Sequence, residues 1–266
     1  MTTLRRIGFI TLAISLLPAC TPKQHQPITT GISLITQAPA YLLDESNHYV
    51  PNQTANWFNH QYRVAARKAT ENNAAYIAFY SDQQHDKPIL TPAFSYVTAI
   101  LSNQDRHESI DADAMADQAI LASNIDFGIA QSGNDIFAYN PNKARAEAYI
   151  QKENTESIAY LSLIRQTHSD QDAPLAHDLA VLAHSVDRLA TQGQNKIVLL
   201  SQYDTQYNSL IANKVKGLDV IISAGASSDI EMENHTCLAT FEHTQINWQT
   251  LFMTFDSEGH ILQCRF

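Results

Sequence analysis

Asn195 to Ser228 reads NKIVLLSQYDTQYNSLIANKVKGLDVIISAGASS. Ile197 to Leu200 is a short aliphatic run, read as a buried strand. A polar loop follows, and Thr205 to Lys214 reads as a helix. Gly217-Leu218-Asp219 then leads into a second buried strand, Asp219 to Ile222. Strand, loop, helix, strand is the unit of α/β layered domains, and in such sheets ligands bind in the crevice past the carboxyl ends of the strands.

The same alternation extends outward. Gly31 to Thr36 reads as a first strand, with Asn56 to Asn72 as a helix offering Trp57, Tyr62, Val64, Ala65 and Ala69 to one face. Ala74 to Tyr80 is a compact apolar run, expected to be a buried strand. Asp111 to Ser123, rich in alanine, is expected to be helical, with a strand at Ile125 to Ala130. Asn140-Pro141 marks a helix start, carried on by Lys143 to Gln151. Ile158 to Ile164 is a strand candidate, and Leu175 to Thr191 is an amphipathic helix with Gly193 at its C-cap. The tail reads as a hairpin-like unit: Thr236 to His243, Trp248 to Phe255, a turn at Asp256 to Gly259, and a last short strand.

At the N-terminus, Arg5 and Arg6 precede an apolar run, Ile7 to Leu17, that is too short to span a bilayer. Leu17-Pro18-Ala19-Cys20 resembles a bacterial lipobox. The resemblance implies that residues 1–19 are a lipoprotein signal peptide and that Cys20 is lipidated, holding the protein to a membrane. An ordinary secretory signal is the other reading. Thr21, and not an aspartate, follows the cysteine. For such lipoproteins that implies the periplasmic side of the bacterial outer membrane, or the cell surface. Residues 20–31 are expected to be the lipidated N-terminus and tether, and residues 32–266 a single domain.

The chain has 17 basic and 27 acidic residues, so removing Arg5 and Arg6 takes the formal charge from −10 to −12. No basic cluster offsets this, so nucleic acid is not an expected partner. Cys237 and Cys264 flank expected strands in a chain destined for an oxidising compartment. They are expected to form a disulfide; two separate buried thiols are the alternative. The 11 histidines are scattered and form no HExxH or HxH pair. Neither a GxSxG elbow nor a phosphate-cradling glycine loop is present.

Four loops carry a family resemblance. Leu34-Ile35-Thr36-Gln37-Ala38-Pro39-Ala40, Ala78-Phe79-Tyr80-Ser81-Asp82, Gly133-Asn134-Asp135-Ile136-Phe137-Ala138-Tyr139-Asn140-Pro141 and the block from Asn195 to Ser228 occur in the order of the metal-binding motifs of 5'-nucleotidases. From about Ile32 to Phe266 the chain resembles the N-terminal catalytic domain of that family, within the calcineurin-like metallophosphoesterases. The resemblance implies a metallophosphoesterase-like sheet sandwich flanked by helices. Members hold two metal ions that position a phosphate and activate water.

Most of the ligands are replaced. In the first loop the family's Asp and His fall on Ala38 and Ala40. In the second, Asp82 keeps the bridging carboxylate. The third motif, Gly-Asn-His-Glu-Phe-Asp-x-Gly-Pro, keeps Asn134, while Asp135 replaces the histidine that protonates the leaving group. The last three histidines become Gln202, Gly225 and Ser227. Asp82, Asn134, Asp135 and Gln202 are thus vestigial positions, expected to be ordinary polar loop residues; gathering one divalent cation is the alternative. The family's base-binding C-terminal domain is not expected in this chain.

The expected function follows: a lipid-anchored envelope protein with a 5'-nucleotidase-like fold, without a cofactor, acting as a non-catalytic binding or scaffolding protein for a protein partner. Two other readings stand beside it. One is a residual or altered metal-dependent phosphoesterase using a single cation, and the other is a purely structural envelope lipoprotein.

Overall fold

A computed structural model of the protein describes residues 27–35, 51–81, 99–101, 119–127, 136–165, 174, 176–242 and 248–266. Cys20 and the expected signal peptide lie outside the described residues. In chain order the elements are β1 (Ile28–Ile35), α1 (Pro51–Glu71), β2 (Ala75–Ser81), β3 (Ala99–Leu101), β4 (Ala119–Ala122), β5 (Ile136–Asn140), β6 (Arg145–Ala146), β7 (Tyr149–Glu153) and β8 (Glu156–Leu163). There follow α2 (Ala176–Thr191), β9 (Ile197–Ser201), α3 (Thr205–Lys214), β10 (Val220–Gly225), β11 (Asp229–Glu233), β12 (Thr236–Glu242), β13 (Leu251–Phe255) and β14 (Ile261–Arg265).

The strands form an eight-stranded sheet, ordered β14-β13-β1-β2-β3-β4-β5-β6, and a six-stranded sheet, ordered β11-β12-β10-β9-β8-β7. Strand periodicity explains why both are buried. In β9 and β10, Val198, Leu200, Val220 and Ile222 share one core with Ile32, Phe79, Leu121 and Met253 of the other sheet. Their alternate neighbours Ile197, Leu199 and Ile221 share a second core with Val181, Leu182 and Val186 of α2 and with Ile211 of α3. Strands covered on both faces are apolar throughout, which is what makes this block readable. Phe79 and Tyr160, with ring centroids 4.9 Å apart, meet between the sheets.

Helix α1 covers the outer face of the eight-stranded sheet through Phe58, Ala65 and Ala69, all buried and spaced by seven and four residues. Val64, expected on that face, is 52% exposed, and Phe58 takes the inward position. The small Ala69 lets the helix approach closely: a Cβ at Gly31 would stand 3.3 Å from the Ala69 Cβ. At the other side, Gly193 takes φ +84° after α2, the left-handed C-cap conformation glycine permits.

Several local expectations are corrected. The first strand starts at Ile28, so residues 28–31, assigned to the tether, pair with Phe255 to Phe252 of β13. Ala119 to Ala122, expected to end a helix, is strand β4, and Ile125 to Phe127 lies past its end. Alanine's helix propensity is weak beside the burial of all four residues of β4 between its neighbours. The helix expected over Lys143 to Gln151 is instead a turn followed by β6 and β7. There the Ala146 N–H donates to the Ser185 hydroxyl at 2.9 Å, and Tyr149 packs edge-on against Phe137. These tertiary partners override a helical pattern. The C-terminal strands are not one unit: β12 pairs with β10 and β11, while β13 and β14 form a hairpin on the other sheet.

Cys237 and Cys264 are disulfide-bonded, with Cα atoms 6.6 Å apart. Cys237 lies in β12 and Cys264 in β14, so the bond joins the two sheets.

Candidate functional site

The carboxyl ends of β2, β4, β8 and β9 converge on one end of the sandwich, where side chains cross from sheet to sheet. Gln202 follows β9. Its Nε2 donates to the Ser81 hydroxyl at the end of β2 (3.3 Å), and its Oε1 accepts from the Arg165 backbone N–H beyond β8 (3.1 Å). Its own backbone N–H donates to the Leu163 carbonyl at 3.0 Å. The oxygen that would face a cation is therefore engaged by the backbone.

Between β4 and β8 the bonds are reciprocal. The Ser123 N–H donates to the Ser162 hydroxyl at 3.1 Å, and the Ser162 N–H to the Ser123 hydroxyl at 2.9 Å. Asn124 accepts from the Ile164 N–H at 2.8 Å and donates to the Ile164 carbonyl at 2.9 Å, imitating a strand bridge. The same amide donates to Asp178 Oδ2 at 3.0 Å. Burial pushes the Asp178 carboxyl above its usual range, against the opposing effects of the Asn124 hydrogen bond and His177. Tyr203 is pushed up to about 12, by burial first and then by the Asp178 carboxylate.

Near β1 and β10, the Ser33 hydroxyl donates to the Gln249 carbonyl. Gln249 Oε1 accepts from the Ser228 hydroxyl at 2.7 Å, and the Ser228 hydroxyl accepts from the Glu242 N–H at 3.2 Å. Gly225, at a family histidine position, is sterically confined: a Cβ there would stand 2.7 Å from Thr240 Cγ2. A histidine could enter only if Thr240 moved.

Of the four vestigial positions, Gln202 is described, and Asp82, Asn134 and Asp135 lie outside the described residues. Sequence reading misses Asn124. The strand expected before the third motif is Ile125 to Ala130, but the strand is β4, and Ser123-Asn124-Ile125-Asp126-Phe127 follows its carboxyl end. That run matches the motif in order: Asn124 falls on the asparagine, Ile125 on the proton-donating histidine, and Phe127 on the phenylalanine. Gly133-Asn134-Asp135 instead precedes β5, which starts at Ile136. The available signal is the asparagine and phenylalanine spacing itself, hidden by the wrong strand boundary. Ile125 is 5% exposed and has no proton to transfer.

Ser81, Asn124, Gln202, Gly225 and Ser227 therefore do not fit a two-metal centre, which needs several carboxylates and imidazoles free to coordinate. Among the described residues, no group of three or more His, Cys, Asp or Glu side chains is placed to hold a metal ion.

Two stacked sheets flanked by helices, with parallel strands ending in a shared crevice, have the fold of the N-terminal domain of the 5'-nucleotidase-type metallophosphoesterases. The chain superposes on the NAD nucleotidase NadN of Haemophilus influenzae with a TM-score of 0.58 and 14% identity, covering 90% of this chain and 50% of that one. It is similar to a 5'-nucleotidase precursor from Thermus thermophilus with a TM-score of 0.57 and 13% identity, covering 90% and 53%. The sulfate thiohydrolase SoxB of Thermus thermophilus gives 0.55 and 14%, covering 91% and 54%. The chain thus spans about half the length of these proteins. No protein-family model matches the chain, and no curated protein matches it.

Proposed function

We propose that this protein is a lipid-anchored cell-envelope protein that uses a 5'-nucleotidase-like fold without its two-metal chemistry, and that it binds or scaffolds a protein partner in the envelope. The observation that carries the reading is the crevice. Among the described residues at the ends of β2, β4, β8 and β9, serine and amide side chains bond to one another, to the backbone and, through Asn124, to Asp178. Where Ser123 to Phe127 is matched to the third motif, Ile125 falls on the family's proton-donating histidine. Anchoring is supported by the lipobox-like Leu17-Pro18-Ala19-Cys20.

Purified protein beginning at Thr21 should not hydrolyse AMP, NAD or bis(p-nitrophenyl) phosphate with manganese beyond the rate of manganese alone. Manganese-dependent turnover that Asp82→Ala abolishes would establish the residual phosphoesterase instead. In cells, the full chain should fractionate with membranes and Cys20→Ala should release it. Unchanged membrane association of Cys20→Ala would remove the lipid anchor from the proposal.

A further inference from the structure

At the opposite end of the sheets, a pocket of about 330 Å³ opens where the α3–β10 loop, the β11–β12 turn and the start of β14 meet. Its charged and polar side chains are Lys216, Asp219, Asn234, His235, Thr236 and His260; Val215, Leu218 and Ile261 form its apolar wall. Met232, 58% exposed, stands at the rim.

Among the described residues, no ion pair joins Lys216 to Asp219. Asp219 Oδ2 accepts from the Ile197 N–H at 2.8 Å, and Oδ1 has no hydrogen-bond partner among the described residues. The side chains that act on Asp219 also have carboxylate partners of their own: Lys196 has Glu156 at 2.8 Å, and the His260 ring has Asp256 at 3.3 Å. Lys216 has no hydrogen-bond or ion-pair partner among the described residues. One carboxylate and one ammonium thus share a pocket without pairing, beside an apolar wall. An anion alone would place its charge against Asp219, and a cation alone would place its charge against Lys216. A molecule bearing both charges and an apolar side chain satisfies all three features.

We propose that this pocket binds a zwitterionic apolar α-amino acid. Its carboxylate sits on Lys216 with His235 alongside, its ammonium on Asp219 Oδ1, and its side chain against Val215, Leu218 and Ile261. Burial pushes Asp219 up to about 7 against the opposing Ile197 N–H, His260 and Lys196, and a ligand ammonium would add to that opposition. The volume is at the lower end for small-molecule pockets, which suits a ligand of this size.

The test is calorimetric titration of the protein from Thr21 onward with L-leucine, 4-methylpentanoate and L-leucinamide. The two analogues each lack one charge. Leucine should bind saturably, each analogue at least about tenfold more weakly. Lys216→Ala, an exposed change, and Asp219→Asn, which keeps an acceptor for Ile197, should each weaken leucine binding about tenfold with the far-UV spectrum unchanged. No saturable leucine binding up to about 10 mM would overturn the proposal. So would equal binding of 4-methylpentanoate, or unaltered affinity in Lys216→Ala.

Discussion

Gln202, which falls on a histidine position of the resemblance, ties its strand end to the neighbouring strands by hydrogen bonds. A histidine bound to metal would tie this strand end to its neighbours through the cation. The glutamine makes comparable ties directly, to Ser81 on one sheet and to the Arg165 backbone on its own. Each such bond contributes only about 0.5–1.5 kcal/mol, so the set of them matters more than any member. Asp219 is the residue with the clearest pH signature. Burial dominates its shift to about 7, with the Ile197 N–H, His260 and Lys196 opposing and Asp256 reinforcing. A carboxyl whose folded pKa is raised makes the folded state hold its proton more tightly than the unfolded chain does. Stability from this group is therefore lost as pH rises from about 4 to about 7, by roughly 2–4 kcal/mol, and is level above that. Denaturant titrations at pH 5 and pH 8 should show a smaller difference for Asp219→Asn than for the unaltered chain. An equal difference would mean that Asp219 does not carry the dependence.

At the scale of elements, the disulfide is the covalent link between sheets. It joins β12 to β14 across a separation of 27 residues, which corresponds to about 3.5 kcal/mol in the chain-entropy treatment. Replacing both cysteines by alanine should lower the unfolding free energy by about that amount, measured by urea denaturation. A loss below about 1 kcal/mol would show that the sheets are held by their shared core alone. The elements also show what is legible in the sequence. Helix α3 falls on the expected Thr205 to Lys214, and β8, β9 and β10 lie within a few residues of expectation, because double-sided burial and helical spacing leave strong local patterns. The region from β4 to β7 is not legible in the same way, because Ala119 to Ala122 and Arg145 to Glu153 take their strand conformation from neighbours rather than from their own composition. That difference makes Asn124 a second candidate, beside Asn134, for the third motif's asparagine. The pairing of β12 with β10 and of β13 with β1 is equally out of reach, since it depends on which sheet each strand joins.

Across the whole molecule, the chain has the fold of a metallophosphoesterase domain at 14% identity to NadN, while among the described residues no group of three or more His, Cys, Asp or Glu side chains is placed to hold a metal ion. The core positions of β9 and β10 are kept apolar on both faces, whereas Gln202, Gly225 and Ser227 stand where the resemblance expects histidines. The zwitterion pocket lies at the amino ends of β10 and β12, about five strand residues, or roughly 17 Å, from the crevice. The central claim is that neutral hydrogen bonds, and not cations, close the crevice. Its most direct test is the melting temperature of the purified protein in EDTA and in 1 mM manganese. A cation site with micromolar affinity would add about 4 kcal/mol at that concentration and raise the melting temperature by several degrees. The account predicts the same melting temperature in both conditions; a rise of several degrees with manganese, lost in Asp82→Ala, would contradict it.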